Sequence, residues 1–220
     1  DVGLAAIGSV YNRSRSAASR DDTIDDQVIV FVKASLGIGG AFLRASTPWH
    51  GRLHPEMGQC NVPRWPDPNG VEPKWRYSGA MNKNSIEGLA SVEAIETRYS
   101  TKFDDLKKQP DHEAWTREAW YLAQLAWTIT CTICPHQIIF GGRIIGVPYL
   151  IDKVRTTFEQ DIANWPSFPY VADRVADYIL PSLANRDGQS YVDRPGIVGA
   201  LCLAAMEDQP SAVTTLPERR

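Results

Sequence analysis

Apolar residues fall along the chain in blocks of two kinds. Gln27-Val-Ile-Val-Phe-Val-Lys33 is rich in β-branched residues and almost wholly apolar, the pattern of a strand covered on both faces. It runs into Ser35-Leu-Gly-Ile-Gly-Gly40, and a second short strand is expected over residues 41–45, making a hairpin. Trp115, Ala119, Leu122, Ala126 and Ile129 recur at three or four, which predicts the strongest helix, over residues 111–133. Residues 86–99 form a further helix candidate. Gln137-Ile-Ile-Phe140 reads as a short buried strand stopped by Gly141-Gly142, and Pro148 suits the first turn of a helix reaching residue 164. Tyr178-Ile-Leu-Pro181 reads as a strand and residues 196–206 as a last apolar helix. At the other end, Val2, Leu4, Ala5, Ala6, Ile7 and Val10 form a set that a helix could bury, followed by a polar stretch over residues 13–26. Residues 48–85 carry many Pro, Gly, Trp and Asn with little periodicity, and read as a long loop region of the functional kind. Strands alternating with helices indicate an α/β architecture.

Composition narrows the classes. Apolar residues make up 43% and charged residues 22%, enough for a packed core. Lys plus Arg is 23 against Asp plus Glu 26, a net charge of −3, so charge gives no reason to expect nucleic acid or an anionic membrane surface. No apolar run approaches the ~20 residues of a membrane span, and no basic-then-apolar leader opens the chain. The four cysteines, Cys60, Cys131, Cys134 and Cys202, are unevenly spread, which favours a reduced, intracellular setting, with cytoplasmic location expected. The 220 residues make about one and a half domains, and the chain opens on Asp1 rather than Met.

The glycine turn, Gly37-Ile38-Gly39-Gly40, is the first candidate for chemistry. A strand feeding such a turn lets backbone N–H groups approach phosphate oxygens. A ligand-free hairpin explains the same residues. The turn lacks the Gly-Lys-Ser/Thr of a P-loop, and a strand rather than a helix follows, unlike the dinucleotide fingerprint. Cys131-x-x-Cys134 suggests a redox pair or half a metal site, but its place at the end of an apolar helix favours core packing. Trp115, Trp120 and Trp127 are likewise read as core, and His136 as a turn residue.

Several segments together carry a resemblance. Asp1-Val-Gly-Leu-Ala-Ala-Ile-Gly8, Ser35-Leu-Gly-Ile-Gly-Gly40, His54-Pro-Glu-Met-Gly58, Ile86-Glu-Gly-Leu-Ala-Ser91 with Ala94-Ile95-Glu96, and Ile138-Ile-Phe-Gly-Gly142 follow one another in a familiar order. So do Tyr178-Ile-Leu-Pro181 and Pro195-Gly-Ile-Val-Gly199. They resemble the motifs of the ROK-family sugar kinases, especially bacterial fructokinases, over nearly the whole of residues 1–206. "HPEMG" and "EGLAS" are specific in combination. The resemblance implies the α/β, actin-like ATPase (ribonuclease H-like) hexokinase fold. It places residues 1–26 as a remnant of the first lobe, 27–175 as the second lobe, 176–206 as a closing strand and helix, and 207–220 as a polar tail. The first lobe's own phosphate motif is not in the chain, and the helices at residues 2–10 and 196–206 are expected to pack against that lobe.

The resemblance also implies roles. Asp1 occupies the catalytic-base position, where a carboxylate must reach the attacking sugar hydroxyl; a helix N-cap is the simpler use of the same residue. Glu56 and Glu87, with His54, match sugar-binding positions, against plain loop surface for Glu56 and a first-turn helix charge for Glu87. Gly37, Gly39 and Gly40 match the ATP phosphate turn, and Gly141 and Gly142 the adenosine side. The cofactors implied are ATP and Mg²⁺, the small-molecule partner is a hexose with fructose first, and a homodimer is open. Departures stand at Gly3 for Asn, Leu36 for Thr, Gln59 for a zinc-ligating His and Arg143 for a third glycine. The loop that would complete a zinc site, residues 75–85, holds no Cys or His, so zinc is expected to be lost. These departures also support a rival: a non-catalytic sugar-binding or interaction module. The ligand-binding part of an ROK repressor is a third reading, without a visible DNA-reading helix pair.

Overall fold

The computed structural model describes residues 6–7, 27–44, 47–49, 51–66, 84–162 and 175–182. Their centre is a five-stranded mixed sheet. β1 (Val28–Ala34), β2 (Ile38–Arg44) and β3 (Thr47–Trp49) form an antiparallel meander, while β4 (Gln137–Gly141) and β5 (Ile179–Pro181) run parallel to β1 in the order β3-β2-β1-β4-β5. Val32 sits opposite Gly40 on β2 and opposite Phe140 on β4. His136 fixes this register from outside the strands. Its backbone N–H donates to the Val28 carbonyl at 2.8 Å, and its Nδ1 accepts from the Val28 N–H at 3.0 Å.

The near-continuous apolar run of β1 is explained by two-sided burial. Val30, Val32 and Ala34 join the larger core with the helices, whereas Ile29 and Phe31 face the second side with Ala41, Leu43 and Ile139. Ala6 and Ile7, helical and buried, belong to that second cluster. These two residues cover the sheet, and the rest of the apolar set expected to face the first lobe lies outside the described residues.

The helices on the first side are α1 (Ile86–Ala90), α2 (Val92–Tyr99), α3 (Phe103–Leu106), α4 (Ala114–Thr132), α5 (Leu150–Ile162) and α6 (Val175–Tyr178). The single helix expected over residues 86–99 is broken at Ser91. Ser85 and Ser91 each sit in extended backbone and accept at the side-chain oxygen from Gly88 N–H and Ala94 N–H, at 3.1 and 3.3 Å. Two N-caps three residues ahead of their donors thus start two short helices where one was expected. The strand expected from residue 41 begins earlier, at Ile38. The strand expected from Tyr178 begins at Ile179, since Tyr178 ends α6. The helix expected over residues 196–206 lies outside the described residues.

α4 buries Trp115 completely, with Leu122, Leu125 and Ala126 along the same face, as its periodicity requires. The Trp115 indole donates to the Gln109 carbonyl at 2.8 Å. Trp120 and Trp127 are only partly buried against this core. The cysteines depart from expectation. Cys131 and Cys134 are exposed, because the last turn of α4 leaves the packed face before the chain enters β4.

One group in α4 is out of keeping with an apolar core. Glu118 is 1% exposed, and neither carboxylate oxygen has a hydrogen-bond partner among the described residues. Burial holds this carboxyl well above the usual glutamate range, with Arg98 on α2 opposing the effect. Arg98 itself donates to the Leu89 carbonyl and lies over the Tyr121 ring. An acid whose folded-state pKa exceeds its unfolded value holds its proton more tightly when folded. Its contribution is therefore fullest below the ordinary value of 4.5 and is lost as pH rises through the folded value. Glu118→Gln is expected to flatten the fall in melting temperature on going from acid to alkaline pH. Thermal denaturation across that range checks this, and an unchanged profile would refute it.

Candidate functional site

The connection between β1 and β2 is a three-residue turn, Ser35-Leu36-Gly37, closed by the Ser35 N–H donating to the Gly37 carbonyl at 3.0 Å. Only Gly37 of the predicted glycine turn lies in it; Gly39 and Gly40 are strand residues, opposite Lys33 and Val32. Glu87, second residue of α1, reaches back to this turn. Its Oε2 accepts from the Ile38 N–H at 2.9 Å, and its Oε1 accepts from the Gln59 side-chain amide at 3.0 Å. A β-carbon at Gly37 would stand 2.7 Å from Glu87 Oε2, so the absence of a side chain there is what admits the carboxylate. Glu87 is partly exposed, and each oxygen keeps acceptor capacity beyond the bond it makes. The first N–H of α2, on Val92, donates to the Ser35 carbonyl at 3.0 Å and ties the second helix to the same turn.

The "HPEMG" segment forms a 3₁₀ turn, Met57–Gln59, laid flat on β2. A β-carbon at Gly58 would run into the Ile38 carbonyl oxygen, and one at Gly40 would run into the Met57 sulfur. These two glycines let the turn approach closely enough for Gln59 to reach Glu87. His54 and Glu56 stand outside that contact. Both are exposed, and they pair with each other at 2.7 Å. The structure therefore brings together Gly37, Glu87 and Gln59, with His54 and Glu56 as a separate pair on the adjoining surface. Gln59 is the residue that sequence reasoning undervalued. The motif alone presents it as a lost zinc ligand, and its support of Glu87 spans 28 residues of sequence, so no local pattern carries it.

The second glycine pair closes the same end of the sheet. Gly141, opposite Lys33, lies against the Phe31 ring and Ser182. Gly142 has a φ of 97°, and a β-carbon there would run into the Ala34 carbonyl. The Ser182 N–H donates to the Phe140 carbonyl at 2.6 Å, which seats the exit of β5 beside them. The carboxyl ends of three parallel strands thus meet the hairpin turn, the location where open α/β sheets bind ligands. Arg143 is drawn sideways: its guanidinium bonds Asp104 at 2.7 Å, lies over the Phe103 ring, and holds the Asp104 carboxyl below its usual range. Asp1 lies outside the described residues, as do Gly3 and most of the loop expected to have lost zinc. Among the described residues no group of three or more His, Cys, Asp or Glu is placed to hold a metal ion.

The family model described as "ROK family" matches residues 14–206. A fructokinase of Zymomonas mobilis is 33% identical over 175 residues, 80% of this chain and 53% of that protein. A putative fructokinase of Bacillus subtilis is 28% identical over 215 residues, 97% of this chain and 64% of the relative. Among solved structures, the ROK family glucokinase from Streptomyces griseus, in complex with glucose and AMPPNP, superposes with a TM-score of 0.63 at 16% identity, covering 92% of this chain and 67% of that one. The ROK hexokinase from Thermus thermophilus gives 0.63 at 15% identity, over 94% and 63%. The sheet and its helices are thus those of the actin-like ATPase fold of hexokinases. This chain belongs to the ROK family. It spans 53% and 64% of the two curated relatives just named.

The close approach of the 3₁₀ turn sets a testable limit. Gly58→Ala forces a methyl against backbone that cannot yield as a side chain would, and is expected to cost about 1–3 kcal/mol. Urea denaturation measures this, and a midpoint equal to the parent's would refute it.

Proposed function

We propose that the protein is an ATP-dependent sugar kinase that transfers the γ-phosphoryl group to the 6-hydroxyl of a hexose, with fructose the first choice. The observation that carries this reading is Glu87: a carboxylate fixed from two sides, set against Gly37 of the hairpin turn at the carboxyl end of the sheet. Fructokinases among the relatives and the glucose complex among the structural neighbours support the same class.

The residues present fit a polyol. Glu87 offers remaining lone pairs to sugar hydroxyls, and Gln59 holds it in orientation. Glu56 and His54 form a second polar pair that would meet the sugar from the exposed side. Toward a nucleotide, the fit is through backbone. Gly37 is partly exposed and Gly142 exposed at the same end of the sheet, while Gly40 and Gly141 give the close packing behind them. ATP with Mg²⁺, when bound, supplies the phosphoryl group and neutralises its charge. Asp1 would serve as base on the resemblance alone. Closure around the site would exclude water, the competing acceptor.

A second reading, sugar binding without transfer, is favoured by Leu36. It is 68% exposed and apolar at the turn, where the family's Thr would present a hydroxyl. A coupled assay of ADP release with a hexose panel separates the two. Hexose-dependent turnover abolished by Asp1→Asn supports the kinase. Heat of sugar binding with no ADP formed supports the module. If the kinase reading holds, Glu87→Gln is expected to lower kcat/KM by about 10²-fold through loss of orientation. Unchanged kcat/KM in that variant would refute the role given to Glu87.

A further inference from the structure

We propose that Cys131 and Cys134 form a surface dithiol, held by the fold, that closes to an intramolecular disulfide by exchange with a low-molecular-weight disulfide such as oxidised glutathione. This is independent of the kinase reading. Both thiols are free and exposed, one on the last turn of α4 and one just past its cap.

Backbone bonds hold them one helical turn apart. The Ile133 N–H donates to the Ile129 carbonyl at 2.9 Å, and the Cys134 N–H donates to the Thr130 carbonyl at 3.0 Å. Residues three apart on a helical turn have their Cα atoms about 5 Å apart, within the Cα span a disulfide bridges. Cys134 has a φ of 47°, a left-handed conformation uncommon outside glycine, so the turn is held at some cost in backbone energy. Its footing is firm. Thr130, one residue before Cys131, donates to the Ala126 carbonyl at 2.8 Å and shares a 2.8 Å bond with the buried Tyr178 hydroxyl.

The exchange balances as written. One cysteine thiolate attacks a sulfur of the small disulfide, whose S–S bond breaks and releases one small thiol. The other cysteine thiolate then attacks the protein sulfur of this mixed disulfide and releases the second small thiol. The protein pair loses two electrons and two protons, and the small disulfide takes them up as two thiols.

The intact protein is equilibrated in glutathione redox buffers, natively and in urea, then blocked with a maleimide and cut with trypsin. Residues 118–143 lie between tryptic sites and contain Cys131 and Cys134 but no other cysteine. The expected result is a peptide about 2 Da lighter than the dithiol, without maleimide. It should form at a several-fold lower proportion of oxidised glutathione in the native protein than in urea. In Cys131→Ser or Cys134→Ser the light peptide disappears, and the remaining cysteine carries one glutathione or one maleimide. Two maleimides at every ratio, two glutathione adducts, or equal behaviour in urea would each overturn the proposal.

Discussion

The parallel pairing of β1 with β4 is the constraint on which the rest of the structure depends. The two strands are separated by about a hundred residues, and their register sets Lys33 beside Gly141 and leaves Gly142 against the Ala34 carbonyl. Two glycine turns that are remote in sequence therefore emerge at one edge. The helices α1 and α2 are tied to that edge by Glu87 and by the Val92 N–H. A slip of one residue would exchange the two faces of β1, sending Val30 and Val32 toward the side now filled by Ala6 and Ile7. His136, bonded to both backbone groups of Val28, guards against such a slip at the far end.

Much of this fold was legible because burial is two-sided. A strand covered on both faces leaves an unbroken apolar run, and α4 leaves a clear helical period. The misreadings have local causes. Ser91 is compatible with a helix by composition, yet its hydroxyl caps the next helix and ends the previous one. Gly39 and Gly40 look like turn residues, but a partner strand on one side and Met57 on the other draw them into β2. For Cys131 and Cys134, apolar character could not tell where the cover over α4 stops.

The site was legible in a different way. Glu87 and Glu56 were singled out by motif rather than by any local pattern, and the structure gives them unequal settings. Glu87 is gripped by an amide N–H and a side-chain amide, whereas Glu56 pairs with His54 on the exposed surface. Gln59 shows why a motif departure is a poor measure of loss. Judged as a metal ligand it is a vacancy; judged as a hydrogen-bond donor it completes the grip on the carboxylate.

The seat of Met57–Gln59 on β2 has a bearing on how this protein can vary. Gly40 and Gly58 form a contact made by main chain and a single thioether, with no side chain at the glycine positions to lengthen, shorten or recharge. That interface is a hard stop for sequence change. On the proposed sugar-kinase reading, divergence in ligand preference falls to the outer rim, where His54, Glu56 and Leu36 stand in solvent and can be exchanged without disturbing what lies beneath. The site is built as a fixed floor with a replaceable edge.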